Sequence, residues 1–134
     1  MEVYFDLNES HATQVLSLFK ETWWANERTL VEAAACIEGS QITVGIFNNN
    51  ELVGFARVVT DFIYKAIIFD VIVSKQQQGK GLGKKLIAAV KSHPRLIGIR
   101  HFELYCLPEM EAFYEDFGFT TQVGGIKLMR CTNA

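Results

Sequence analysis

An excess of charge of one sign is nearly absent from this chain. Lys and Arg number 13 and Asp and Glu 15, which leaves a net charge of −2. Nucleic-acid binding by bulk electrostatics needs a basic face and is not indicated. Cysteine is also scarce. Cys36, Cys106 and Cys131 are an odd number without metal-type spacing, and they read as ordinary thiols of a reducing compartment. No apolar run approaches the roughly 18 residues that a membrane span requires. The first ten residues, MEVYFDLNES, are acidic and lack the apolar stretch of a signal peptide. A cytoplasmic protein without nucleic-acid or membrane partners is the expectation. Repeats, low-complexity tracts and linkers are missing too, so residues 1–134 read as a single domain. Apolar residues at 49% and charged residues at 21% suit a soluble globular domain.

The apolar pattern divides the chain into short elements. Residues 2–6 alternate and suit an edge strand. Asn8 or Ser10 is positioned to cap a helix through about Glu21, with Ala12, Val15, Leu16, Phe19 and Trp23 on one face. Asn26 is positioned to cap a second helix with Leu30, Ala33, Ala34 and Ile37 as its inner stripe and Gly39 at its end. Residues 41–47 and 52–59 form a hairpin around Asn48, Asn49 and Asn50, a turn composition tolerant of positive φ. Residues 66–73 are almost wholly apolar, as in a strand covered on both faces. The next helix puts Leu82, Leu86, Ile87, Ala89 and Val90 on one side and stops before Pro94. Residues 101–106 form a fifth strand. Pro108 opens a helix with Met110, Phe113, Tyr114 and Phe117 inward, Gly118 ends it, and Phe119 supplies a terminal apolar contact. Residues 119–123 and 126–131, around Gly124 and Gly125, form a closing hairpin. The order is β-α-α-β-β-β-α-β-α-β-β, an α/β (α+β) domain with a mixed sheet.

One joint in this order has more glycine than a simple turn requires. Gln78, Gly79, Lys80, Gly81, Leu82 and Gly83 connect the apolar strand to the amphipathic helix. Such a joint aims bare amides at one point at the positive end of a helix dipole, where a phosphate is the natural guest. A dinucleotide fingerprint is excluded because position 84 is Lys where the third glycine belongs. A Walker A loop is excluded because Lys85 follows Lys84 and no hydroxyl is available for Mg²⁺. A structural reading remains, in which the glycines only permit the turn. Against it, one glycine would suffice, and glycines in a helix's first turn forfeit roughly 1 kcal/mol each.

The stretch Val-Ser-Lys-Gln-Gln-Gln-Gly-Lys-Gly-Leu-Gly-Lys-Lys-Leu-Ile resembles motif A of the GCN5-related N-acetyltransferases (GNAT), whose core is [Gln/Arg]-x-x-Gly-x-[Gly/Ala]. Gln78, Gly81 and Gly83 match it. Tyr114, Glu115, Asp116, Phe117, Gly118 and Phe119 fall where that family places a later element, and the element order agrees along essentially the whole chain. Residues 56–61, with Trp23 and Trp24, further resemble a small bacterial-type branch of mostly unassigned acceptor.

The resemblance implies a GNAT-like fold and transfer of acetyl from acetyl-CoA, as co-substrate and without metal, to a primary amine of a small molecule or peptide by direct attack. It assigns the pyrophosphate to Gln78, Gly79, Lys80, Gly81, Leu82, Gly83 and Lys84, and the pantetheine arm to the strand at Val71, Ile72 and Val73. Tyr114 matches the family's proton donor to the departing thiolate; its alternative is a core aromatic beside Phe113 and Phe117. The base is Asp70, Glu103 or a water chain. Asp70 lies within an apolar run, where a carboxylate needs a partner, and it either works chemically or holds a backbone amide or Arg57. Acceptor recognition falls to Trp24, Arg28, Arg57 and Tyr64, with Trp23 either lining the same pocket or lying in the core. Leu107 and Met110 depart from the Asn and the small residue common in the family. They leave open a non-catalytic acyl-CoA-binding or regulatory module of the same fold. Exposed edge strands make a homodimer a further expectation.

Overall fold

In the computed structural model, which describes residues 1–133, five strands make one sheet in chain order. They are β1 (Glu2–Phe5), β2 (Ile42–Asn48), β3 (Glu51–Thr60), β4 (Lys65–Val73) and β5 (His101–Leu104). The first four pair antiparallel, and β5 lies parallel to β4. Parallel pairing needs a crossover, and the third helix makes it. The helices are α1 (Ala12–Phe19), α2 (Leu30–Glu38), α3 (Leu82–Ser92) and α4 (Glu111–Glu115).

The alternation of the strands builds two cores. Ile42, Val44 and Ile46 of β2 and Val58, Ala66 and Ile68 meet Leu82, Leu86, Ile87 and Val90 of α3 on one face. Phe55 and Ile72 meet Val15, Leu18 and Phe19 of α1 and Ala33 and Ile37 of α2 on the other. Each fully buried Leu, Ile or Val contributes about 1.5–3 kcal/mol, so α3 is held chiefly by its apolar face. The asparagine turn between β2 and β3 forms as expected, with Asn49 at φ 57°.

The site's shape comes from a bulge. Arg57 of β3 faces Phe69 and Phe55 faces Ile72, so Ala56 stands opposite both Asp70 and Val71. Asp70 takes up the extra residue at φ 55°, a left-handed conformation that non-glycine residues adopt rarely. The pairing of β4 with β5 ends at Ile68 and Leu104. Beyond that point residues 69–73 have no strand partner on the β5 side among the described residues, and the two strands leave a wedge between them.

Four local expectations are corrected. Helix α1 ends at Phe19, because Thr22 Oγ1 donates to Phe19 O at 2.8 Å and accepts from Ala25 N at 3.0 Å. The chain turns there, burying Ala25 and leaving Trp23 73% exposed, not in the core. Thr29, not Asn26, caps α2, in a reciprocal capping box with Glu32. Leu30 of its expected inner stripe is exposed, as is Met110 ahead of α4. The closing hairpin does not form. No strand follows Leu104 among the described residues, and residues 120–133 are exposed throughout. A two-stranded ribbon holds only against a surface that buries one face, and Ile126, Leu128 and Met129 find none.

Candidate active site

The glycine joint lies at the carboxyl end of β4. Gly79 and Gly81 both stand at φ 80°, so the turn itself requires two left-handed residues, one more than the sequence argument allowed. A Cβ at either position would have no atom within 4 Å. The room outside them is therefore open. Gly83 has another reason: a Cβ there would stand 3.2 Å from Phe113 Cζ. Its smallness lets α3 and α4 meet. The first helical bond of α3 runs from Lys85 N to Gly81 O, and the amides of residues 79–84 have no acceptor among the described residues. Six bare donors at the N-terminus of an eleven-residue helix make an anion cradle. Gln78 folds back, with Nε2 donating to Val73 O at 3.2 Å, and Lys80 Nζ donates to Gln77 Oε1 at 3.0 Å. Leu82 is buried in the core and offers the cradle its amide alone. Lys84 is exposed.

Val71, Ile72 and Val73 carry the free edge of β4 from this cradle back toward the bulge. Tyr114 packs in the core on the α3 side of the sheet. Its ring packs edge-on to Phe113 at 5.0 Å and to Phe119 at 6.0 Å, and the residue is 8% exposed. Its hydroxyl makes no protein hydrogen bond, yet no buried side-chain polar atom lacks a partner among the described residues, so the hydroxyl opens to solvent. Burial, with a smaller contribution from Cys106, raises its pKa above the ordinary phenol value. The group stays protonated at neutral pH. Tyr114 also lines a cavity of about 690 Å³ between the outer edge of β5 and residues 117–128.

On the opposite face of the sheet, Asp70 gathers two arginines. Arg28 Nη1 donates to Oδ2 at 2.7 Å and Nη2 to Oδ1 at 3.3 Å, while Arg57 Nε donates to Oδ2 at 2.7 Å. The Asp70 side chain is 6% exposed. Burial alone would lower the pKa of Arg28, but the hydrogen bonds and charge of Asp70 outweigh it and raise the value. The Arg28 guanidinium lies 4.5 Å from the Phe19 ring and 5.6 Å from Trp24; that of Arg57 lies 5.0 Å from Phe69. Phe69 in turn meets Tyr105 at 6.2 Å. These two aromatics and the partner Arg28 of Asp70 were missed in the sequence. Their signal was positional: Phe69 lies between the buried positions of its strand, on the face that α1 and α2 leave open. A second cavity, of about 650 Å³, opens beside Arg28 and is lined by residues 23–28 and Glu32.

Two residues fall away from this centre. Glu103 is half-exposed and lies 3.4 Å from Lys65, toward the start of β4. Tyr64 is 62% exposed in the turn before β4, at the end opposite the glycine joint. Asp61 shapes that turn by accepting the amides of Ile63, Tyr64 and Lys65. No helix is long and apolar enough to cross a membrane, and no cluster of metal-ligating side chains occurs, among the described residues.

The GNAT acetyltransferase domain family model matches residues 8–127. The chain belongs to the GNAT acetyltransferase family. It is 34% identical over 106 residues to an uncharacterized N-acetyltransferase, ycf52, of Gracilaria tenuistipitata var. liui, a match covering 76% of this chain and 58% of the relative. The chain thus spans less than two thirds of that relative's length. A Xanthomonas campestris structure assigned to the GNAT acetyltransferases aligns with a TM-score of 0.80 at 30% identity, covering 99% of this chain and 94% of that one. An aminoglycoside N-acetyltransferase in complex with CoA shares the fold, with a TM-score of 0.75 at 18% identity over 96% and 93% of the two chains. The GNAT fold and the mixed sheet therefore stand as expected, with five strands in place of the seven read from the sequence.

Proposed function

We propose that this chain is an acetyl-CoA-dependent N-acetyltransferase, moving an acetyl group to a primary amine of a small molecule or peptide within a ternary complex. The observation that carries the reading is the continuity along β4 from six bare amides at residues 79–84 to an unpaired edge at 69–73. The residues present fit the co-substrate. The left-handed Gly79 and Gly81, with nothing standing where a side chain would, leave room for a pyrophosphate against the amides of residues 79–84. The edge of β4 that faces away from β3 along Val71, Ile72 and Val73 has no strand partner among the described residues and offers backbone groups to an amide-bearing arm, with Val73 O also accepting from Gln78 Nε2. Lys80 and Lys84 add positive charge at the rim.

Acetyl-CoA supplies the acetyl group as an activated thioester, and the chain manages two protons. A lysine-type amine, with a pKa of about 10.4, must lose one before attacking. That proton passes to groove water or Asp70, since Glu103 lies toward the start of β4 beside Lys65. Asp70 has both oxygens engaged by guanidiniums, which suits it to anchoring more than to accepting. Tyr114 gives its hydroxyl proton to the departing sulfur and is reprotonated from solvent. Its solvent-open hydroxyl and raised pKa keep it in the donor form. Titration calorimetry with acetyl-CoA, ATP and NAD tests the cradle. Acetyl-CoA alone is expected to bind, and preference for ATP or NAD would refute the assignment. Tight acetyl-CoA binding without turnover on any amine would leave the acyl-CoA-binding module instead, with Leu107 and Met110 as its first suspects.

A further inference from the structure

We infer that the Arg28–Asp70–Arg57 cluster is the specificity element of the acceptor groove and selects amines that also carry a carboxylate. The inference rests on the acetyltransferase reading and names its substrate class. Two guanidiniums face one carboxylate and neither makes another ion pair among the described residues, so the three side chains together carry a net charge of +1, which the exposed carboxylates of Glu27 and Glu32 beside Arg28 partly offset. The neighbouring Glu32 is exposed and occupied with the Thr29 amide at the start of α2. Each guanidinium has five N–H donors. Arg28 uses two on Asp70, and Arg57 uses one on Asp70 and one, at 3.4 Å, on Ser40. Arg28 Nε and Arg57 Nη2 make no protein hydrogen bond, and since no buried polar side-chain atom is unpaired among the described residues, both reach solvent.

The cluster is held as a rigid fork. Asp70 fixes Arg28 through two bonds, and Phe19, Trp24 and Phe69 flank the guanidiniums. A planar fork with free donors, a net charge and apolar flanks matches a carboxylate. It also sits on the residue that forms the bulge, next to the free edge of β4. Asp70 holds a left-handed backbone at that point, and its bonds to two guanidiniums offset the strain. A plain alkylamine gains nothing from this site, and its ammonium is repelled by it.

The test compares glycine, β-alanine, 4-aminobutyrate and lysine with methylamine, ethylamine, propylamine and cadaverine, their partners without the carboxylate, reading kcat/KM. For the best pair the carboxylated amine is expected to be favoured by roughly 10- to 100-fold. The ratio should fall toward one in Arg28→Gln and to an intermediate value in Arg28→Lys, with folding checked by circular dichroism. Equal or better use of the plain amines would overturn the inference while leaving the transferase reading intact. A second measurement does not need turnover. In Trp23→Phe, Trp24 is the sole tryptophan, and its emission is titrated with the N-acetyl derivatives of the same acids and with their uncharged amides. A response to the acids alone, lost in Arg28→Gln, supports the fork even where no amine is acetylated. No response to any acid contradicts it.

Discussion

Arg57 Nε and Asp70 Oδ2 meet at 2.7 Å across the β3–β4 pair, at the one register where β4 carries an extra residue. The ion pair and the bulge are therefore one feature. Asp70 accepts a strained backbone and two guanidiniums together, within the stretch 69–73 where β4 has no strand partner on its β5 side among the described residues.

Asp70 should therefore be sensitive in two separable ways. Asp70→Asn keeps a side chain that tolerates positive φ but leaves both arginines without their anion. We expect a loss of about 2 kcal/mol, below the range for fully buried pairs because both arginines remain partly solvated. Asp70→Ala adds about 1–2 kcal/mol for the left-handed backbone. Urea unfolding of both variants checks this, and equal losses would detach the charge from the bulge.

Gly79 and Gly81 invite a similar separation of fold from binding. Gly81→Ala meets no atom but must hold φ 80°, so it should cost about 1–2 kcal/mol of stability and weaken acetyl-CoA binding at least tenfold. Gly81→Val should abolish that binding while the domain remains folded. Calorimetry beside thermal melting reads both quantities.

Tyr114→Phe should leave stability within about 0.5 kcal/mol, because the hydroxyl has no protein partner, and should slow transfer with little change in acetyl-CoA affinity. The pH dependence has a definite sign. Burial raises the folded-state pKa, so the stability held by the neutral phenol is fully present below about 10 and is lost as pH rises through the higher folded value. Tyr114→Phe should lack this alkaline loss. An unchanged transfer rate in the variant would return Tyr114 to the core.

Asp61 gives the opposite sign at the other end of β4. Hydrogen bonds from the amides of Ile63 and Tyr64 lower its pKa. The stabilisation it gives the turn is present above the usual carboxylate value of about 3.9 and is lost as pH falls through the lower folded value. Asp61→Ala should be less stable than the parent at pH 7, and the two should converge in strong acid.

Much of this was legible in the sequence, because periodicity reports elements that bury one face. Helix α3, the asparagine hairpin and β4 follow from Leu82, Leu86, Ile87 and Val90, from Asn49, and from the run ending at Val73. Pattern failed where tertiary support decided the outcome. Trp23 continues the stripe of α1 on paper, but the helix ends four residues earlier at Phe19, where Thr22 turns the chain. Ile126 and Leu128 have strand character, but β5 offers a four-residue edge and no face to cover them. Asp70 stood out because a carboxylate in an apolar run needs a partner, and Arg57 was foreseen. Arg28 was not foreseen as that partner, since 42 residues separate the two and no local spacing connects them.

The most direct measurement of the central claim is the release of free CoA thiol from acetyl-CoA with and without an amine panel. The account predicts amine-dependent release, with acetyl recovered on the amine nitrogen and the rate strongly reduced in Tyr114→Phe. Release that is the same without any amine, or none at all from protein saturated with acetyl-CoA, would contradict it.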